Sequence, residues 1–155
     1  MNNDFISCFI TAAKSVMESF GMAVNGGDSV LKSSPFKADS ILIVIGLTGE
    51  LHGQAIISME KETACYIASL MMGGATAELN EVSKSAVAEL SNMIIGNAVT
   101  LLSKENIMLD ITPPSVLTGE NMSVSTTSLS ICVPFNMDGG RVLEFSISAK
   151  ELSNY

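Results

Sequence analysis

The sequence predicts an α+β fold, a mainly antiparallel sheet with helices packed on one face. Three observations carry this. Long segments at 4–21 and 80–102 and a shorter one at 61–72 read as helices. Between and after them, β-branched runs joined by glycine-bearing turns read as hairpins. The order of elements, helix–three strands–helix and then helix–three strands, makes a weak internal duplication. With 155 residues and no linker or low-complexity tract, 1–155 reads as a single domain long enough to bury a core.

Taken in order, Phe5, Phe9, Ala12, Ala13, Val16 and Phe20 follow helical spacing, and Gly21 suits the stop. Gly26-Gly27 and Ser33-Ser34-Pro35 bracket a short strand at 28–32. Residues 40–47 form a β-branched run, Thr48-Gly49-Glu50 a turn, and 51–59 a second run, together a hairpin. Residues 61–72 read as a helix ending at Gly73-Gly74. Asn80 is placed to cap the next helix, which runs to about Leu102. Pro113-Pro114 forces extended chain before a short strand at 116–118. Residues 123–135 read as one long Ser/Thr/Val/Ile strand with Pro134 at its frayed end. Asp138-Gly139-Gly140 turns the chain into a closing strand at 141–149. The proline-bearing loops, Pro35 and Pro113-Pro114, fall at corresponding places in the two halves.

Composition excludes several functions. The formal net charge of −8, with only eight scattered Lys and Arg, argues against nucleic-acid binding, which needs clustered cations. Although 47% of residues are hydrophobic and the mean hydropathy is +0.40, no uninterrupted apolar run approaches the ~20 residues of a membrane span. The N-terminus shows no basic region leading into an apolar block, so a cytoplasmic protein is expected. Cys8, Cys65 and Cys132 are odd in number and far apart, and read as small buried hydrophobes rather than disulfides or zinc ligands.

Familiar catalytic machinery is missing from the pattern. The single histidine, His52, lies between Gly49 and Gly53 and reads as a solvent-facing turn residue. No third group is placed beside it for a triad. There is no HExxH or Cys/His cluster for a metal and no phosphate-cradling GxxxxGK[ST] or GxGxxG loop. Any activity must borrow parts from its substrate.

One helix carries the informative polar pattern. At about 100° per residue, Ser85, Glu89, Asn92 and Gly96 fall within roughly 60° of one another. Val87, Leu90, Ile94, Ala98 and Leu101 lie opposite, on the side of a core. Glu89 and Asn92 are about 4.5 Å apart along the axis. Helix pattern alone reads this row as the exposed side of an amphipathic helix. Yet it is uncharged apart from Glu89, and Gly96 costs about 1 kcal/mol against Ala, which suits close approach by a partner. Asn97 falls nearer the apolar side and is expected to be a buried structural amide.

The stretch Glu89-Leu90-Ser91-Asn92-Met93-Ile94-Ile95-Gly96-Asn97-Ala98 resembles the signature helix of the CheC/CheX/FliY family of chemotaxis phosphatases. That pattern is Ser or Asp, then Glu four residues on, Asn three further, and a proline about two dozen later. Ser85, Glu89 and Asn92 match it, and Pro114 or Pro113 matches the proline slightly early. The first helix has Glu18 followed by Gly21 rather than Asn, so a single site is expected, as in the CheX branch.

The resemblance implies a pseudo-duplicated CheC-like fold, a homodimer joined through sheet edges, and a phosphorylated CheY-like receiver as partner and substrate. It implies no cofactor of the chain's own, the Mg2+ coming from the receiver. Asn92 would hold the attacking water in line with the acyl phosphate, and Glu89 would accept a hydrogen bond from the receiver's lysine. Ser85, Gly96 and Pro114 would line the site without a chemical step. A non-catalytic receiver-binding or flagellar-switch-like module is the alternative, and the intact Glu89/Asn92 pair favours catalysis.

Overall fold

The computed structural model describes residues 3–33, 36–74 and 78–151. The elements are α1 (Asn3–Ser19), β1 (Val24–Gly26), β2 (Val30–Lys32), β3 (Phe36–Lys37), β4 (Ile41–Gly49) and β5 (Leu51–Met59), followed by α2 (Lys61–Met71) and α3 (Glu81–Lys104). Then come β6 (Leu109–Ile111), β7 (Ser115–Thr118), β8 (Ser123–Val124), β9 (Ser130–Met137) and β10 (Val142–Glu151). All strand pairs are antiparallel, so the fold is α+β as expected.

The main sheet runs β1-β9-β10-β5-β4-β6, with β2 also on β9 and β7 also on β4. Its centre is the long pairing of β5 with β10, from Leu143↔Met59 to Glu151↔Leu51. Each half of the chain gives one hairpin to the middle, β4–β5 and β9–β10, and sends its short strands to the far edge beside the other half's hairpin. The duplication is therefore real and exchanged. A constant shift along the chain carries Gly21 onto Asn106, Val24 onto Leu109 and Val30 onto Ser115. Helix ends repeat too. Gly21 (φ 82°) and Asn106 (φ 62°) close α1 and α3 with the same left-handed turn. In α1, Met22 N donates to Met17 O and Gly21 N to Glu18 O; in α3, Ile107 N donates to Leu102 O and Asn106 N to Ser103 O.

Strand alternation divides the two faces. Ile43, Ile57, Phe145 and Val133 sit in one cross-strand row, each at most 2% exposed, beneath the helices. Phe9 of α1 joins this layer, its ring 5.1 Å from Phe5 and 5.7 Å from Phe145. On the other face, Leu42, Ile56 and Val124 form a small cluster with Ala38 and Met122, beneath the two-stranded β3–β8 ribbon.

Several sequence expectations need correction. The strand expected at 28–32 is found as the shorter β2, Val30–Lys32, and an unexpected short strand, β1, precedes it across a break at residues 27–29. The run at 123–135 splits: Ser123 and Val124 leave to pair with Lys37 and Phe36, and only Ser130 onward joins the main sheet. Pro134 is not a frayed end. It pairs with Glu144 inside β9, and its carbonyl accepts from Gly27 N at 2.7 Å. The imide nitrogen points the same way, towards the break between β1 and β2, so no ladder bond is lost. That break, not Pro35, corresponds to Pro113-Pro114 between β6 and β7; Pro35 lies outside the described residues. His52 is exposed as expected, but on β5, opposite Lys150, rather than in a turn. Cys65 and Cys132 are buried, and Cys8 is half-buried.

Candidate active site

Helix α3 carries the candidate residues, and its ends are fixed by its own sequence. Asn80 Oδ1 accepts from Ser83 N at 3.0 Å while Ser83 Oγ accepts from Asn80 N at 2.8 Å, a reciprocal cap worth about 1 kcal/mol. Among the described residues, α3 is the one helix long and apolar enough to cross a membrane by length and composition. Its apolar side is a core surface instead. Ser83, Val87, Leu90, Ser91, Ile94, Ile95, Ala98 and Leu102 are all buried.

The opposite side presents the polar row. Ser85 and Glu89 are exposed, and Asn92 and Gly96 are half-buried. Beyond the backbone of its own helix, a Cβ placed on Gly96 would meet no atom of the described residues within 4 Å, so their packing does not require glycine there. Asn97 departs from expectation: it is exposed. The buried arc is centred on Val87, Ile94 and Ala98 and spreads towards Ser91, Ile95 and Leu102, which leaves Asn97 and the half-buried Leu101 at its open margin.

Pro114 sits half-buried at the corner between β6 and β7, the strands of the sheet edge against which α3 packs. Thr112 locks that corner. Gly46 N donates to Thr112 Oγ1 at 2.7 Å, and Thr112 N donates to Gly46 O at 3.0 Å. A Cβ on Gly46 would come within 2.9 Å of Thr112 Cγ2, so the closeness requires glycine there. No hydrogen bond among the described residues joins Pro114 to Glu89 or Asn92; the two are linked through the packing of α3 as a whole on that edge.

The shift that relates the two halves carries Asp4 onto Glu89 and Ser7 onto Asn92. The counterpart of the pair in α1 is thus Asp4/Ser7, not the Glu18/Gly21 spacing read from the sequence. The carboxylate–carboxamide combination occurs in α3 alone of these two positions. No group of three or more His, Cys, Asp or Glu side chains suited to a metal ion occurs among the described residues.

Comparison with known proteins decides the family. The family profile of chemotaxis phosphatase CheX matches residues 41–136, which includes α3. This chain belongs to the CheX family. A Thermotoga maritima relative, CheY-P phosphatase CheX, is 33% identical over 112 residues, covering 72% of this chain and 72% of that one. The CheX of a Borrelia burgdorferi CheX–CheY–BeF3–Mg2+ complex superposes with a TM-score of 0.82 at 32% identity, covering 97% of this chain and all of that one. A Desulfovibrio desulfuricans CheX gives a TM-score of 0.85 at 25% identity, covering 94% of this chain and 99% of that one. The CheX fold thus extends well beyond the profile match, through α1 and the closing strand.

Proposed function

We propose that this CheX-family chain is a phosphoaspartyl-protein phosphatase acting on a phosphorylated CheY-like receiver, with Glu89 and Asn92 as its working pair. The observation that carries the reading is their joint presentation, one helical turn apart, on the solvent side of a helix whose other side is locked into the core. A rigid helix is a suitable carrier, because phosphoryl transfer depends mainly on positioning and charge placement.

Asn92 offers two N–H donors and a carbonyl acceptor on one neutral group. It can orient a water towards phosphorus but cannot act as a strong base. Glu89, exposed beside it, accepts from the receiver's lysine and fixes the docking register through a charge-assisted bond. Mg2+ belongs to the receiver's acidic pocket and is part of the substrate. Ser85, Gly96 and Pro114 line the approach, and Gly96 leaves space for the receiver's surface. This work is done in the cytoplasm, where receivers are phosphorylated.

The experiment is the decay of a phosphorylated receiver followed with and without the chain. Asn92→Ala is expected to slow turnover by about 10² or more, at least ~2.7 kcal/mol of barrier, with an unchanged melting curve. Glu89→Ala is expected to raise KM more than it lowers kcat. Normal turnover by the Asn92 variant would refute the assignment.

The chain acts as a homodimer joined at the β2 edge. Val30 and Leu31 are 53% and 65% exposed on that strand, and Leu129 beside it is 55% exposed. An open apolar edge is a liability that pairing with a second copy removes. Leu31→Lys should yield monomers in sedimentation; an unchanged dimer would place the interface elsewhere.

A further inference from the structure

We propose a second ligand site, for a phosphate-class oxyanion, on the sheet face opposite the helices. A concavity of about 370 Å³ opens there over the ends of β5 and β10. His52 and Lys150 are cross-strand partners, as are Gln54 and Ser148 one step further along, so all four side chains share this face. Gly53 lies between them. A side chain on it would fall on the Ser148 carbonyl and the Ala149 backbone, so the two strands meet here only because residue 53 is glycine.

The remaining wall is the loop that leaves β8, including Ser125, Thr127 and Ser128. Its Ser128 carbonyl is already engaged, by Thr126 Oγ1 at 2.6 Å and Ser148 Oγ at 3.4 Å. The backbone amides of Thr127 and Ser128 donate to no acceptor among the described residues. Charge singles the place out. Acidic residues outnumber Lys and Arg sixteen to eight in the chain, yet among the described residues no Asp or Glu lines this pocket, while a lysine and the sequence's single histidine do. Ammonium, imidazole, hydroxyl and amide groups lining one concavity, with no carboxylate among the described lining residues, suit a small anion with several acceptor oxygens. The site lies across the sheet from α3 and does not depend on Glu89 or Asn92.

The test is a titration of the ¹⁵N-labelled chain with sodium phosphate against sodium chloride at matched ionic strength. Saturable shifts confined to His52, Thr127, Ser128 and Lys150 are expected, equally in the parent and in Asn92→Ala. Both His52 and Lys150 are exposed. His52→Ala/Lys150→Ala should therefore melt like the parent and bind phosphate at least about tenfold more weakly, the loss of one charge-assisted bond. Methyl phosphate distinguishes the sources: equal binding assigns the site to phosphomonoesters, weaker binding to free phosphate. Shifts reproduced by chloride, or undiminished binding by the double variant, would overturn the proposal.

Discussion

Ser91 Oγ donates to the Val87 carbonyl across a 2.8 Å bond, and neither residue has any exposed surface. The bond spans the turn whose outer side presents Glu89. Val87 O also takes the Ser91 backbone N–H in the helical ladder, so the hydroxyl adds a second donor and bends the turn slightly rather than rescuing an orphan group. Removing it should therefore cost little. Ser91→Ala is expected to change stability by less than about 1 kcal/mol, since lost bonding and better helix propensity oppose each other. Ser91→Leu has no space to enter and should cost about 1–3 kcal/mol. Urea unfolding of the two variants separates these outcomes; a leucine variant as stable as the parent would mean the helix seam is loose.

Gly96 separates stability from function. Outside its own helix backbone, nothing among the described residues touches the position a Cβ would take, and the residue sits within a long helix. Gly96→Ala should thus raise stability by about 1 kcal/mol through helix propensity. A long side chain, as in Gly96→Gln, should also be tolerated by the fold but obstruct a docking receiver. Receiver dephosphorylation is expected to fall several-fold while the melting temperature stays at or above that of the parent. Undiminished turnover in the glutamine variant would show that no partner surface comes near this point.

Much of the framework was legible because its signals are local. The β-branched runs around Thr48-Gly49-Glu50 could form little except a hairpin, and Asn80 caps α3 as its position suggested. The period of α3 also placed Ser85 and Glu89 outward correctly. What was not legible depends on distant partners. Nothing in the Ser/Thr composition of 123–135 shows that Ser123 and Val124 will pair with Lys37 and Phe36, while Ser130 onward pairs with β2 and β10. The exchange of edge strands between halves is equally non-local, and it hid the true counterpart of Asn92, Ser7. Asn97 was misplaced for a related reason. Which margin of a helix stays open is set by where its neighbours lie, and a helical period does not contain that information.

On the far face of the sheet, Lys32 Nζ donates to Glu144 Oε1 at 2.8 Å, both side chains being about a quarter to a third exposed. Burial by itself would lower the ammonium's pKa. The hydrogen bond and charge of Glu144 outweigh it, so the pKa ends above the usual lysine value of 10.5. A raised folded-state pKa gives stability that is fully present below the unfolded value and disappears as pH climbs through the folded one. Glu144→Gln should therefore destabilise the fold modestly, by up to about 1 kcal/mol, across neutral and mildly alkaline pH. The gap between parent and variant should close only above the ordinary lysine range. Neighbouring Cys132 reinforces the contrast: burial pushes its thiol up, so it stays protonated at neutral pH and adds no competing negative charge beside Lys32. Denaturant midpoints of parent and Glu144→Gln taken from pH 7 into the alkaline range measure the effect. A difference that vanished already near neutrality would show that the ion pair is not its source.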